Sequence, residues 1–169
     1  RRCAIHVRRP RLGKLDDAYI LASETCAFDL VHAEYIREVR PGEVIIISDE
    51  GIRSEWPFRE EEEAFCMFEY VYFARPDSIM GGVNVAKVRT QMGRELARRY
   101  PVEADIVVPV PDSGNYAALG FAHELGIPYE HAFVRNHYIG RTFLQPSQLI
   151  RDFDVRVKLN LIKEAVEGK

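Results

Sequence analysis

The chain has 169 residues, 23 Lys+Arg against 26 Asp+Glu, and a formal net charge of −3. An apolar share of 47%, with nine Phe and eight Tyr, provides enough surface to offset the entropy of folding and excludes intrinsic disorder. The mild negative charge carries no electrostatic footprint for nucleic acid, and no apolar run approaches the roughly 20 residues of a membrane-spanning helix.

Taken in chain order, Tyr19-Ile20-Leu21-Ala22 is a short apolar run that reads as a strand. Phe28, Val31, His32 and Tyr35 recur at helical spacing and predict a helix over 27–35. Pro41-Gly42 then introduces the β-branched run Val44-Ile45-Ile46-Ile47, with Asp49-Glu50-Gly51 as the turn after it. Trp56-Pro57 and the acidic run over 60–63 read as a connector, and the domain seam is expected over 56–65.

Beyond the seam, aromatics alternate over 68–74, which reads as a strand with Phe68, Tyr70 and Tyr72 on one face. Val85, Val88, Met92 and Leu96 form the apolar stripe of a helix that Pro101 stops. The near-continuous apolar run over 104–110 is that of a parallel strand covered on both faces. A helix over 115–125 closes at Gly126-Ile127-Pro128, and a strand over 132–134 follows. Val155, Leu159, Ile162 and Val166 predict a last helix ending at Gly168. Strands alternating with helices imply an α/β region with a mostly parallel sheet.

Cys3, Cys26 and Cys66 form no C-x-x-C pair, and their spacing matches no zinc pattern. A reduced, cytoplasmic setting suits them better than a disulfide framework. Residue 1 is Arg and the chain stops just after a helix, so a piece of a longer protein is expected.

Three segments carry chemistry. In Pro109-Val110-Pro111-Asp112-Ser113-Gly114 a buried strand runs through a tight turn into a helix, whose first amides and positive dipole end form an anion site. Gly114 allows close backbone approach, and Ser113 either caps the helix or reaches a metal-bound phosphate. The stretch Arg135-Asn136-His137-Tyr138-Ile139-Gly140-Arg141-Thr142-Phe143 is either a mobile lid over an anionic substrate or a surface loop with a glycine turn. The third segment, Phe68-Glu69-Tyr70-Val71-Tyr72-Phe73-Ala74-Arg75-Pro76-Asp77-Ser78, is core or a binding surface.

Together with Ala22-Ser23-Glu24-Thr25-Cys26-Ala27-Phe28-Asp29, Ile36-Arg37-Glu38-Val39 and Val157-Lys158-Leu159-Asn160, these segments resemble the glutamine phosphoribosylpyrophosphate amidotransferases over nearly the whole chain. The opening dozen residues depart from the family pattern, and His137 stands where the family usually carries Arg. The resemblance implies the C-terminal part of an N-terminal-nucleophile (Ntn-hydrolase) glutaminase domain over 1–55. A connector over 56–65 then leads to the first half of a type I phosphoribosyltransferase α/β domain over 66–169. It further implies that glutamine, phosphoribosylpyrophosphate (PRPP) and water give phosphoribosylamine, glutamate and pyrophosphate, the opening step of purine synthesis.

Carried across, Asp112, Ser113 and Gly114 fall in the pyrophosphate loop, with Ser113 near Mg2+. Arg135, Tyr138 and Arg141 fall in the flexible loop, and Tyr72 lies beside the ammonia route. Cys66 matches one ligand of the 4Fe–4S cluster that some members hold. A homo-oligomer, a homotetramer in the family, is also implied.

The glutaminase nucleophile, an N-terminal Cys, has no counterpart here, since Cys3 is not at the terminus. The acidic strand end and Gly-Thr loop that bind ribose 5-phosphate are not in the sequence either. Neither half-reaction is therefore expected of these 169 residues alone. The competing readings are a stand-alone salvage phosphoribosyltransferase, against which residues 15–51 argue, and a non-catalytic PRPP-binding regulatory module.

Overall fold

Strands β1 (Arg11–Leu15), β2 (Ala18–Ala22) and β3 (Glu34–Glu38) form an antiparallel sheet in the order β2-β1-β3. The computed structural model describes residues 10–58, 65–140, 142 and 146–169. Cys3, the acidic run over 60–63, Arg141 and Phe143 lie outside the described residues. The chain divides into two compact units, one ending at Val85 and the other beginning at Ala86.

In the first unit, helix α1 (Cys26–Val31) lays Phe28 against the sheet at Gly13, where a Cβ would stand 2.8 Å from the Phe28 ring. Leu12 and Phe28 are each 1% exposed and form the centre of this core. The helix predicted over 27–35 stops early because His32 takes a left-handed conformation, after which the chain extends into β3. Strands β4 (Val44–Ser48) and β5 (Gly51–Glu55) form a hairpin. Arg37 of β3 grips Glu43 with two bonds of 2.6 and 2.9 Å, and the Ser54 hydroxyl donates to the same carboxylate. That carboxyl is held down to about 2, first by the Arg37 hydrogen bonds and then, against the effect of burial, by Ser54 and the Arg40 amide.

Residues 69–73 are not a strand. Glu69–Phe73 winds into a π-helix, with the Ala74 amide donating to the Glu69 carbonyl. An isolated strand would leave its backbone groups unpaired, whereas this winding satisfies them within the segment. The expected two-face alternation is lost with it: Glu69 is buried, while Phe68, Val71, Tyr72 and Phe73 are exposed. Tyr70 packs on the small cluster of Ala74, Met80 and Val85 and donates its hydroxyl to the Met80 carbonyl at 2.7 Å. The short hairpin β6 (Ile79–Met80) and β7 (Val83–Asn84) follows. Within the first unit, residues 75–79 hydrogen-bond back to 24–25.

The second unit is built on α2 (Val85–Arg99) and α3 (Asn115–Leu125), both where the apolar stripe and stop signals predict them. They cross with backbone against backbone. A Cβ on Gly93 would lie 1.9 Å from the Ala117 carbonyl oxygen, and one on Gly120 would lie 1.9 Å from that of Thr90. Arg98 adds a two-bond ion pair to Glu124 at 2.7 and 3.2 Å.

The run over 104–110 is not a full parallel strand. It makes one parallel bridge, Val107 with Tyr129, and Val110 is exposed. A parallel sheet needs neighbours along both edges, and this run has only the 128–130 segment beside it among the described residues. Strand β8 (Phe133–Arg135) pairs antiparallel with β9 (Leu159–Leu161). The last predicted helix is therefore split into α4 (Gln148–Lys158), β9 and α5 (Lys163–Val166), since residues 159–161 are drawn into pairing with 133–135. The architecture is mixed α/β, and the described sheets are antiparallel.

Candidate functional site

The turn over 111–114 leads straight into α3, and Gly114 occupies its N-cap position. A Cβ there would sit 2.7 Å from the Val110 carbonyl oxygen, so the turn closes only around glycine. The Val110 carbonyl accepts the Gly114 amide at 3.1 Å, and the Asp112 carbonyl accepts that of Asn115 at 3.3 Å. No side chain caps the helix, and Ser113 is exposed. Of the two roles open to Ser113, capping is not the one it takes. The amides of Tyr116 and Ala117 have no hydrogen-bond partner among the described residues. The Pro111–Asp112 peptide is cis.

Arg135, at the end of β8, donates its guanidinium to the Asp112 carboxylate. The pair joins the first and second predicted segments, 23 residues apart in sequence. The carboxylate close to the α3 N-terminus is thereby matched by a cation, and the Arg135 Nε and the Asn115 Oδ1 are buried without a partner among the described residues. After Arg135 the chain turns outward: the Tyr138 amide donates to Asn136 Oδ1 at 3.0 Å, and the Tyr138 side chain is 98% exposed. His137 is exposed as well. Lys158, at the end of α4, holds this loop at both ends. Its carbonyl accepts the Asn136 amide at 2.8 Å, and its Nζ donates to the Gly140 carbonyl at 3.0 Å. Sequence reasoning gave Lys158 no role, because its partners lie about twenty residues away and carry no shared pattern.

Tyr72 sits on the π-helix of the first unit, where its ring stacks edge-on to Phe73 at 5.4 Å. Cys66 lies just before that helix and is partly exposed, while Cys26 is buried against Ser78. A four-iron cluster needs four thiolates, and Cys66 is the one accessible thiol among the described residues, so they do not by themselves form a cluster site. Nor do the described residues gather three or more His, Cys, Asp or Glu around a point that could hold a metal ion.

No protein-family model matches the chain. It is 51% identical over 158 residues to the amidophosphoribosyltransferase of Bacillus subtilis, covering 94% of this chain and 33% of that protein. The Rhizobium etli enzyme of the same name is 52% identical over 163 residues, again with 94% of this chain and 33% of the relative covered. Over 94% of its length the chain is thus similar to proteins named amidophosphoribosyltransferase. It spans about a third of the length of these relatives. Among solved structures, the allosteric regulatory enzyme of purine biosynthesis superposes with a TM-score of 0.85 at 51% identity, over 96% of this chain and 35% of that one. The B. subtilis glutamine PRPP amidotransferase complexed with ADP and GMP superposes with a TM-score of 0.84, covering 95% and 36%. The amidophosphoribosyltransferase match thus extends through the 111–114 turn and the 135–140 loop together. No helix among the described residues is long and apolar enough to cross a membrane.

Proposed function

We propose that the whole protein containing this chain is an amidophosphoribosyltransferase that uses glutamine, PRPP and water, and that the 111–114 turn receives the diphosphate of PRPP. The single observation that carries this reading is the α3 N-terminus without a side-chain cap, with the Arg135 guanidinium beside it. Residues 1–55 belong to the glutaminase domain and residues 66–169 to the first half of the phosphoribosyltransferase domain.

Hydrolysis of glutamine supplies ammonia. Its lone pair forms the bond to C1 of the ribose as the C1–O bond to diphosphate breaks. The diphosphate leaves with that bonding pair, and the new ammonium group loses one proton. Negative charge builds on the leaving oxygens, where the α3 amides and dipole stabilise it without reorganising. Ser113 and Gly114 bring hydroxyl and backbone close to the phosphates, while Arg135 offsets the Asp112 charge that would otherwise repel them.

The exposed Ser113 hydroxyl suits Mg2+, which takes one or two protein ligands plus phosphate and water, and which neutralises diphosphate charge when bound. Tyr138 and Arg141 belong to the loop that closes over the substrate. Tyr72 lines the apolar route along which ammonia avoids loss and protonation. Cys66 serves as one ligand of an iron–sulfur cluster only where the rest of the protein supplies three more thiolates. Homo-oligomerisation and a cytoplasmic setting accompany this assignment.

The test is stoichiometry. The full-length protein should release glutamate and pyrophosphate together from glutamine, PRPP and Mg2+. The isolated chain of 169 residues should release neither. Pyrophosphate release from the isolated chain, or none from the full-length protein, would contradict the assignment.

A further inference from the structure

Glu24 is 8% exposed and lies in the turn between β2 and α1, far in sequence from the groups its carboxylate binds. One oxygen accepts the Ser78 hydroxyl at 2.7 Å and the Arg75 amide at 2.9 Å. Next to it Thr25, at the N-cap position of α1, does not cap its own helix. Its hydroxyl oxygen instead accepts the Ile79 amide at 2.8 Å.

Ser78 is fully buried and acts as the hub: its amide donates to the Arg75 carbonyl, and its carbonyl accepts the Val85 amide. Cys26 Sγ lies 3.3 Å from its hydroxyl. Arg75 to Ile79 is the exit of the aromatic π-helix, so these bonds grip the helix at its C-terminal end. The rings of Tyr72 and Phe73 are exposed, Phe73 meets both Tyr72 and Phe68 edge-on, and the backbone that carries them runs directly into the residues held by these bonds. What anchors residues 75–79 fixes the C-terminal end of the turn that carries both rings.

We propose that Glu24 is a positioning residue for the aromatic π-helix, acting with Ser78 and Thr25 as a buried clamp that fixes where Tyr72 and Phe73 present their rings. The proposal rests on the amidotransferase reading, in which that aromatic wall guides ammonia from one reaction to the other. The clamp touches neither substrate. Loosening it should leave each half-reaction intact and impair the transfer between them.

The experiment uses the full-length enzyme and measures glutamate and pyrophosphate formed from glutamine and PRPP, then pyrophosphate formed with ammonium chloride in place of glutamine. Wild type should give the two products in near-equal amounts. Ser78→Ala and Glu24→Ala should raise the glutamate-to-pyrophosphate ratio roughly tenfold, because an ångström of misplacement in a positioned site costs up to about a hundredfold. Their ammonia-supported rates should match wild type. Glu24→Gln, whose amide oxygen still accepts both bonds, should stay coupled.

If Glu24→Ala fails to fold, Ser78→Ala, which deletes one hydroxyl, decides alone. An unchanged ratio in the alanine variants, or a parallel fall in both rates, would overturn the clamp. A wild-type enzyme that makes no pyrophosphate from glutamine would instead refute the reading beneath it.

Discussion

Glu24 and Asp112 are both carboxylates bonded to partners distant in sequence, but they sit in opposite surroundings. Glu24 is buried and is met by a hydroxyl and a backbone amide, groups that cannot leave without exposing the core. Asp112 is on the surface, and its partner Arg135 is a long, half-exposed side chain at the root of a loop. A buried, satisfied acceptor holds one geometry, because every alternative leaves polar groups unpaired in a low-dielectric setting. An exposed ion pair contributes little to stability and is easily exchanged for another anion. The first arrangement suits a scaffold, and the second suits a site whose occupant comes and goes.

The sharpest way to break this contrast is by stability. Glu24→Ala should destabilise the protein by about 3 kcal/mol, because it orphans the Arg75 amide and leaves the Ser78 hydroxyl only the weak acceptor Cys26 Sγ. Denaturant titration reads this directly, and a loss below that of an ordinary surface substitution would make the buried bonds incidental. Next comes the support under the anion turn. Gly120→Ala should cost about 2 kcal/mol, since the added methyl meets the Thr90 backbone and forces α2 and α3 apart. Thermal unfolding checks it, and an unshifted midpoint would mean that the crossing has slack.

A third comparison uses pH. The Glu43 carboxyl is lowered in the folded state to about 2 from 4.5, so its contribution is fully present above pH 4.5. It is lost as pH falls toward 2, and Arg37→Met should flatten stability across that window. Equal acid sensitivity in the variant would remove Glu43 as the cause. The smallest effect belongs to Asp112→Asn, which should change stability by no more than about 0.5 kcal/mol. A larger loss would move Asp112 into the scaffold class with Glu24.

How much of this was legible in the sequence depends on how local each signal is. Helices α2 and α3 were readable because apolar spacing, Pro101 and Gly126 all act within a few residues. The hairpin strand β4 announced itself through its β-branched run. The aromatic segment over 69–73 was misread because alternation looks the same whether or not a partner strand exists, and pairing is decided elsewhere in the chain. The split of the last helix has the same origin, since residues 159–161 follow β8 rather than their own helical period.

At the site, the 111–114 turn stood out through its strand-turn-helix pattern, but the pairing of Asp112 with Arg135 did not. The bond of Glu24 to Ser78, across 54 residues, left no periodic trace, and only the folded chain reveals it.

The central claim is that the α3 N-terminus and Arg135 together receive the diphosphate, and steady-state kinetics of Arg135→Ala in the full-length enzyme test it most directly. With ammonia as nitrogen source, the KM for PRPP should rise by about tenfold, the effect of roughly 1.5 kcal/mol from leaving the Asp112 charge uncompensated beside the phosphates. Glutamine hydrolysis in the same variant should proceed at the wild-type rate. A KM for PRPP equal to that of wild type would contradict the account.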